Sequence, residues 1–302
     1  MVNGTPGADT FFSTPQNDSF FGFDGDDRLI GSSGNDFFDG GAGFNTADYS
    51  GLTEQIVLEP TGAIDKGSLG RDQLFKVQRI IGSQNFNIID ASTSGGSVSL
   101  DVNLARETLT VRNVPGIGSL NLSVDNFNWV IGTQNGDRIV GGADSDLLRG
   151  LAGNDTILGG GTGDILIGQG GNDVVNGQAG GDRLLGTDVD TRGQGEIDNV
   201  TGGTGNDRFV LGNRDGTFYN FNGDSDFARI LDFGTGDRFE LGINQTYRAE
   251  RTSTGFKLFV IQNGTRDLVA NVTTTASINL PSANFTITAT QGNGVFLPSN
   301  SF

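Results

Sequence analysis

The chain repeats a nine-residue pattern without skipping a residue, and this repeat constrains the fold more than any other feature. Five blocks begin at residues 4, 13, 22, 31 and 40. Each block has Asp or Asn at its sixth position and an apolar residue at its eighth. The sixth positions hold Asp9, Asp18, Asp27, Asp36 and Asn45. The eighth positions hold Phe11, Phe20, Leu29, Phe38 and Ala47.

A second array of the same repeat begins at Gly132. Its six consecutive blocks carry, at the sixth position, Asp137, Asp146, Asp155, Asp164, Asp173 and Asp182. Residues 186–192 then interrupt the register, and two more blocks bring Asp198 and Asp207 to the sixth position. Apolar residues recur at the eighth position just as regularly. A chance origin is excluded by thirteen blocks that keep both residue types in register.

These blocks resemble the GGxGxDxUx nonapeptide of the RTX (repeats-in-toxin, hemolysin-type) calcium-binding family. The resemblance covers well over a third of the chain, and the unbroken register makes it specific. It implies a parallel β-roll, several bound Ca²⁺ ions, and the thirteen sixth-position residues named above as metal ligands. The segment Asp226–Phe233 with Gly236–Asp237 resembles, more weakly, a cap that follows such arrays in cyanobacterial proteins.

The physics of the repeat agrees with this interpretation. Six Gly-rich residues favour a turn, and the last three residues favour a short strand whose eighth-position side chain enters a narrow core. Two blocks then make one coil, so block n stacks on block n+2 at about 4.8 Å. Stacked carboxylates repel unless a cation that accepts six to eight oxygens joins them, and Ca²⁺ suits this better than Mg²⁺. The alternative is that these aspartates only cap turns.

Departures from the repeat predict unequal sites. Ser13 and Gln16 replace Gly in the second block, and the neutral Asn45 stands where an acid is expected. We therefore expect weaker sites at the ends of the arrays, and we expect Asn45 to end the first one. Across the seven-residue insertion, Asp173 is predicted to meet Asp198, and Asp182 to meet Asp207, if the insertion loops out of the coil.

Composition excludes whole classes of function. The chain has no Cys and no His, so it has no disulfide, no Ser-His-Asp triad and no Cys/His zinc site. A net charge of −17 argues against nucleic acid or anionic lipid as partners and favours cations. No apolar run is long enough to span a membrane, and the first ten residues lack signal-peptide features. We expect an extracellular or cell-surface protein exported without a cleaved N-terminal signal.

The rest of the chain predicts more β-structure. Alternating apolar residues over 98–104 and 120–124 indicate half-buried strands, and 256–261 and 267–273 are strand-like. The predicted fold is all-β, a parallel β-roll or β-solenoid. Its predicted domains are a first array (1–48), a wider β-solenoid-like segment (49–131), a second array (132–211) and a β-rich C-terminal cap (212–302). Asp224, Asp226, Asp232 and Asp237 are more typical of turns than of another ion site.

The predicted function is that of a secreted calcium-binding protein whose repeats fold on binding calcium and which serves as a structural or adhesion scaffold. Cell-surface or matrix polysaccharide is a further candidate partner. The alternative is a polysaccharide-modifying enzyme or carbohydrate-binding module on residues 49–131. Its conceivable catalytic groups are Tyr49, Glu54, Glu59 and Glu107, although nothing in the sequence places two of them in one cleft.

Overall fold

The computed structural model describes residues 1–219, 222–274, 285–288 and 295–298. The chain forms two compact units, unit 1 (Met1–Thr133) and unit 2 (Gln134–Phe302). In the described residues nearly all regular structure is β-strand, and the remaining helical turns are three short 3-10 helices at Gly67–Leu69, Leu104–Arg106 and Gly223–Ser225. The predicted all-β class is confirmed. None of these helices is long and apolar enough to cross a membrane.

Unit 1 contains fifteen strands within the described residues. They are β1 (Val2–Asn3), β2 (Thr10–Phe12), β3 (Ser19–Phe21), β4 (Arg28–Ile30), β5 (Phe37–Asp39), β6 (Thr46–Asp48), β7 (Val57–Leu58), β8 (Ile64–Asp65), β9 (Arg71–Phe75), β10 (Arg79–Ile81), β11 (Ile88–Asp90), β12 (Ser99–Asn103), β13 (Thr108–Val114), β14 (Gly118–Asp125) and β15 (Trp129–Ile131).

Alternate blocks of unit 1 lie in two different sheets. One sheet has the order β1-β3-β5-β9-β8-β7-β11-β15, and the other has β2-β4-β6-β10-β14-β13-β12. Thr10 pairs with Arg28 and Ser19 with Phe37, each in parallel and 18 residues apart. Because every second block returns to the same sheet, two blocks make one coil. This is the n to n+2 register that the sequence predicts.

The middle segment widens the coils with antiparallel strands. β10 pairs in parallel with both β6 and β14, so the coil continues through it. β12, β13 and β14 pair antiparallel, as do β7, β8 and β9. These excursions explain why the nine-residue register disappears from the sequence after residue 48 while the parallel stacking continues.

Unit 2 repeats the same architecture. Its strands in the described residues are β16 (Arg138–Val140), β17 (Leu147–Ala152), β18 (Thr156–Gly160), β19 (Ile165–Gly170), β20 (Val174–Ala179), β21 (Arg183–Leu185), β22 (Ile197–Thr204), β23 (Arg208–Val210), β24 (Gly212–Asn213), β25 (Gly216–Thr217), β26 (Phe227–Phe233), β27 (Arg238–Leu241), β28 (Thr246–Arg251), β29 (Gly255–Gln262), β30 (Thr265–Thr274), β31 (Phe285–Thr288) and β32 (Val295–Pro298).

Two sheets and one small hairpin, β24-β25, organise these strands. Within unit 2 one sheet runs β17-β19-β21-β23-β27-β32 and the other β16-β18-β20-β22-β26-β30-β29-β28-β31. Parallel pairing continues through β26 and β27 before β28, β29 and β30 turn antiparallel. The predicted domain boundaries stay predictions, but the parallel coils extend past residue 211 into the segment assigned to the cap.

The eighth-position side chains form a single file of buried residues inside each unit. Leu29, Phe38, Ile157, Leu166 and Val175 are fully buried. In unit 1 aromatic rings take part in this file, with the centroids of Phe11 and Phe20 5.3 Å apart. Burying one such side chain contributes about 1.5–3 kcal/mol, so the core stabilises each coil only modestly.

Glycine at the first position of a block is required by space. A β-carbon on Gly159 would lie 2.5 Å from Asp164 Oδ2 and 2.6 Å from the carbonyl oxygen of Gly177. No real side chain tolerates such contacts, and the carbonyl belongs to the backbone of the next coil. The first-position glycine therefore lets two coils and one carboxylate approach each other.

We predict that Gly159→Ala lowers the free energy of unfolding of the calcium-loaded protein by about 1–3 kcal/mol, because the added methyl overpacks the coil. Gly51→Ala is the control, since a β-carbon there would meet nothing within 4 Å. It should change stability by less than about 0.5 kcal/mol. Denaturant unfolding in excess calcium measures both. Equal effects would contradict the steric account.

Candidate metal centres

The sixth-position side chains form a hydrogen-bonded ladder along each unit. In one step of this ladder, the backbone N–H of Asp146 donates to Oδ1 of Asp164, 2.8 Å away. Each step spans one coil, and its length is nearly constant. The other steps join, as donor and acceptor, Asp9 to Asp27, Asp18 to Asp36, Asp27 to Asn45, Asp137 to Asp155, Asp155 to Asp173, Asp164 to Asp182, Asp173 to Asp198, and Asp182 to Asp207, at 2.7–2.9 Å.

The insertion does not break this ladder. Asp173 and Asp198 are 25 residues apart, as are Asp182 and Asp207, yet their bonds have the same length as those across 18 residues. The strands agree, because Val175 pairs with Val200. Residues 186–192 therefore loop out of the coil.

The second carboxylate oxygen of the interior steps is buried without any hydrogen-bond partner. Among the described residues this holds for Oδ2 of Asp27, Asp36, Asp155, Asp164, Asp173, Asp182 and Asp207. A buried unpaired carboxylate oxygen is costly, and its repeated occurrence at one position of the repeat calls for a cation. This oxygen and a backbone carbonyl of the adjacent coil both lie close to the first-position glycine, as Asp164 Oδ2 and the Gly177 carbonyl do at Gly159.

These oxygens suit a hard divalent cation. Calcium accepts carboxylate and carbonyl oxygens together in flexible geometry. In the described residues no three acidic side chains are close enough to hold one ion. A ladder site would therefore combine carboxylates of adjacent coils with carbonyls of the Gly-rich turns. The residues present fit the ion.

Burial changes the titration of the interior carboxyls. Removal from water raises the pKa of Asp155 to about 7, of Asp173 to about 8 and of Asp198 to about 8. The pKa of Asp164 and that of Asp207 rise to about 6 for the same reason. Without a metal ion, these interior carboxyls are therefore partly protonated at neutral pH.

At the starts of the arrays the second oxygen is already satisfied by the protein. Oδ2 of Asp9 accepts from the Thr5 backbone N–H, 2.6 Å away, and Oδ2 of Asp18 accepts from the Thr14 hydroxyl at 2.7 Å. Hydrogen bonds from Thr14 lower the pKa of Asp18. Oδ2 of Asp146 accepts from Gly142 N–H at 2.6 Å. These end positions need a cation less than the interior ones do.

Asn45 satisfies its own step without an ion. Its Oδ1 accepts from Asp27 N–H, while its amide nitrogen donates to the Lys76 carbonyl at 2.9 Å. The Asn45 side chain therefore has an N–H donor at the place where an interior aspartate has an unpaired carboxylate oxygen. Asn45 is nevertheless not the end of the stack, because its own N–H donates to the Gln78 side chain at 2.7 Å.

Two further aspartates extend the ladder: the sequence did not single out Asp72, and it favoured a turn for Asp237. Asp72 accepts the Asp36 N–H at 3.0 Å, and Asp237 accepts the Asp207 N–H at 2.9 Å. The sequence contains a signal for each of these two residues. Asp72 lies 36 residues after Asp36, which is the length of two regular coils, and Asp237-Arg238-Phe239 repeats Asp207-Arg208-Phe209. Asp237 thus continues the array as a ladder residue, and its Oδ2 accepts from Gly234 N–H.

Glu196 is a third acid that the repeat pattern did not single out. It occupies the fourth position of its block, where most blocks have Gly, and its Oε2 accepts from Gly171 N–H at 2.8 Å. Its Oε1 is buried without a hydrogen-bond partner. Burial raises the pKa of Glu196, and the negative charge of Asp226 raises it further. This coil therefore carries an extra acidic side chain beside Asp173 and Asp198.

Comparison with known families agrees with this geometry. The model of the RTX calcium-binding nonapeptide repeat, which spans four copies, matches residues 3–38, 24–47, 131–166, 158–189 and 192–213. The chain carries RTX calcium-binding repeats. RTX nonapeptide repeats bind Ca²⁺, so several repeats imply several ions. The predicted resemblance, β-roll fold and calcium cofactor are confirmed, whereas the ligands of individual ions stay predictions.

Other comparisons add less. A search of curated proteins gave no match. Among solved structures, the extracellular lipase LipA from Serratia marcescens aligns with 89% of this chain at 18% identity and a TM-score of 0.23. The chain spans 37% of the length of that lipase.

We predict that substitution of an interior ladder residue of the RTX repeats affects calcium-dependent folding more than substitution of an end residue. Asp164→Ala removes a carboxylate with ladder partners in both adjacent coils and an unpaired Oδ2, so it should raise the calcium concentration needed for folding and lower cooperativity. Asp9→Ala, whose Oδ2 already has Thr5, should do much less of either. Calcium titrations followed by far-UV circular dichroism measure both. Equal small shifts would mean that the sites act independently.

A pH dependence follows from the raised pKa values. A carboxyl whose pKa rises from 3.8 to about 7 on folding holds its proton in the folded state after the unfolded chain has lost it. The stabilisation of the calcium-free fold is therefore complete below pH 3.8 and is lost as pH rises through about 6 to 8. Chelated protein should show more β signal at pH 5 than at pH 8, and calcium binding near pH 6.5 should release protons in calorimetry. The opposite order would contradict this assignment.

Proposed function

We propose that this protein is a secreted scaffold whose repeats fold when they bind calcium outside the cell. The observation that carries this proposal is the row of buried, unpaired Oδ2 atoms at successive interior steps of the ladder. RTX repeat proteins are typically secreted, which supports the location. A structural or adhesive role is supported by the architecture, because stacked coils present a long surface of regular strands.

The proposed ligands are the thirteen sixth-position residues, with the interior aspartates contributing most. Their backbone N–H groups hold the register, and their Oδ2 atoms and turn carbonyls offer oxygens to the ion. A bound divalent cation supplies the positive charge that the stacked carboxylates lack. The overall charge of −17 strengthens this dependence, because self-repulsion opposes a compact calcium-free state.

The calcium concentration at which folding occurs tests the proposal. Extracellular modules bind calcium with Kd of about 10⁻⁴–10⁻³ M, whereas cytosolic sensors and buffers bind much more tightly. We expect chelated protein to lose most of its far-UV β signal at pH 8 and to regain it cooperatively within the extracellular range. Magnesium at the same concentration is the control and should restore less. A calcium-free spectrum identical to the loaded one would contradict calcium-triggered folding.

A second candidate function is saccharide binding by the middle segment. A shallow groove of about 370 Å³ in unit 1 is lined by Phe75, Ile117, Leu120, Arg71 and Lys76, among others. Phe75 and Ile117 are each about half exposed. Phe75 also ends a row of rings, with centroids of Phe37 and Phe75 5.3 Å apart. Exposed rings beside cationic side chains suit an acidic polysaccharide.

This groove favours binding over hydrolysis, because none of its lining residues is acidic. Three of the four conceivable catalytic groups have other partners. Tyr49 is fully buried and donates to Asp72, Glu59 pairs with Arg71, and Glu107 lies 3.6 Å from Arg79. A retaining or inverting hydrolase needs two carboxyls facing one bond.

A panel of acidic and neutral polysaccharides tests this candidate with calcium-loaded protein. We expect Phe75→Ala to weaken binding of an acidic polysaccharide at least about fivefold, since stacking on an aromatic ring contributes about 1–3 kcal/mol by analogy with base stacking. Phe86→Ala is the matched control, because Phe86 is an exposed aromatic residue of the same unit outside the groove. Equal binding by both variants and the wild type would exclude the groove.

A further inference from the structure

A lysine lies fully buried at one step of the ladder in unit 1. Lys66 is 0% exposed, and its Nζ lies 2.5 Å from Asp72 Oδ1 and 3.8 Å from Asp36 Oδ2. Nζ also donates to the carbonyl oxygen of Ser32, 2.8 Å away. Asp36 and Asp72 are the donor and acceptor of one ladder step. The ammonium group therefore lies between the carboxylates of two adjacent coils.

The surroundings of Nζ have the composition expected of an ion site in this fold. Two ladder carboxylates, of Asp36 and Asp72, and one turn carbonyl surround it, and Ser32 is the second residue of its block. Among the described residues, by contrast, Oδ2 of Asp155, Asp164 and Asp173 has no hydrogen-bond partner. A buried ammonium is costly unless it is paired and hydrogen-bonded, and here both conditions are met.

Tyr49 completes this step on its other side. Its hydroxyl donates to Asp72 Oδ2 at 2.9 Å, and Lys66 Nζ lies 5.9 Å from the centre of its ring. Both oxygens of Asp72 thus have donors from the chain, in contrast to Asp155, Asp164 and Asp173. No oxygen of Asp72 is left for a metal ion.

We propose that Lys66 supplies the cation of the Asp36–Asp72 step, so that this step binds no calcium and stays assembled when calcium is removed. The inference rests on the proposed function, in which calcium fills the other interior steps. It makes the residues around Lys66 a calcium-independent anchor within unit 1. The coils of unit 2 at Asp155 and Asp164 have no such internal cation at their Oδ2 atoms.

Hydrogen exchange of the full chain at pH 7, with chelator and with calcium, tests the proposal without any substitution. The reporters are the Asp36 amide, which donates to Asp72, and the Gln73 amide, which donates to the Asp36 carbonyl at 2.8 Å. We expect both to keep their protection in chelator to within about tenfold, which corresponds to about 1.4 kcal/mol. The Asp155 and Asp164 amides should lose theirs.

The outcomes separate the two proposals. If all four amides lose protection, Lys66 is not an internal cation, while calcium-dependent folding stands. If all four keep their protection, calcium-dependent folding fails, and the special role of Lys66 fails with it.

Substitution provides the second test. Lys66→Ala should make the protection of the Asp36 and Gln73 amides depend on calcium, with one more ion bound per chain in equilibrium dialysis. Lys76→Ala is the control, because Lys76 is an exposed lysine of the same unit that pairs with Asp39. Unchanged protection and unchanged ion number in Lys66→Ala would overturn the proposal.

A variant that fails to fold is also informative when combined with a rescue. Asp72→Asn in the Lys66→Ala background removes one charge and supplies an amide donor, as Asn45 does naturally. If Lys66→Ala does not fold at any calcium concentration, the double variant should regain protection in chelator. Failure of this rescue would overturn the assignment of Lys66 as the cation of the step.

Discussion

The structure depends on one hydrogen bond that repeats along the stack and leaves half of each carboxylate unsatisfied. The N–H of a sixth-position residue donates to Oδ1 of the residue one coil further on, and this fixes the spacing of the coils. At the interior steps the second oxygen is then buried without a hydrogen-bond partner, and first-position glycines such as Gly159 let the backbone of the next coil come close. The hydrogen bond that sets the register thus leaves a buried carboxylate oxygen that requires a donor or a cation.

The partner of this second oxygen differs along the chain. Threonine caps the oxygen at Asp9 and Asp18, and Asn45 replaces the oxygen by an amide donor. A tyrosine hydroxyl donates to Asp72 in unit 1, and Tyr219 does the same for Asp198 in unit 2. Among the described residues, the aspartates whose Oδ2 is buried without a hydrogen-bond partner are Asp27, Asp36, Asp155, Asp164, Asp173, Asp182 and Asp207. Dependence on calcium is therefore a local property of each step, and it is strongest where the repeat is most regular.

Sequence alone predicted the parts of this arrangement that follow from periodicity. The pairing of Asp146 with Asp164, the burial of Leu166 and the looping out of residues 186–192 all follow from a constant advance of two blocks per coil. Asp72 was missed, and Asp237 was assigned to a turn, because antiparallel or irregular excursions separate both from the regular blocks, although the backbone returns to the same ladder. Lys66 was unpredictable for a different reason. Its neighbours in sequence carry no repeat, and its position depends on tertiary folding of the segment between β8 and β9.

The same electrostatics predicts that protons and calcium compete in unit 2. A buried carboxyl without a partner favours its neutral form, so the pKa of Asp173 rises to about 8. The proton is a poor substitute for the ion, because it neutralises one carboxyl without joining two coils. An ion that binds carboxylates from adjacent coils adds a link where the small core, one side chain per block, contributes little cohesion. We therefore expect neutralised carboxylates to add to the stability that buried apolar surface provides, and removal of the ion to weaken both neighbouring coils at once.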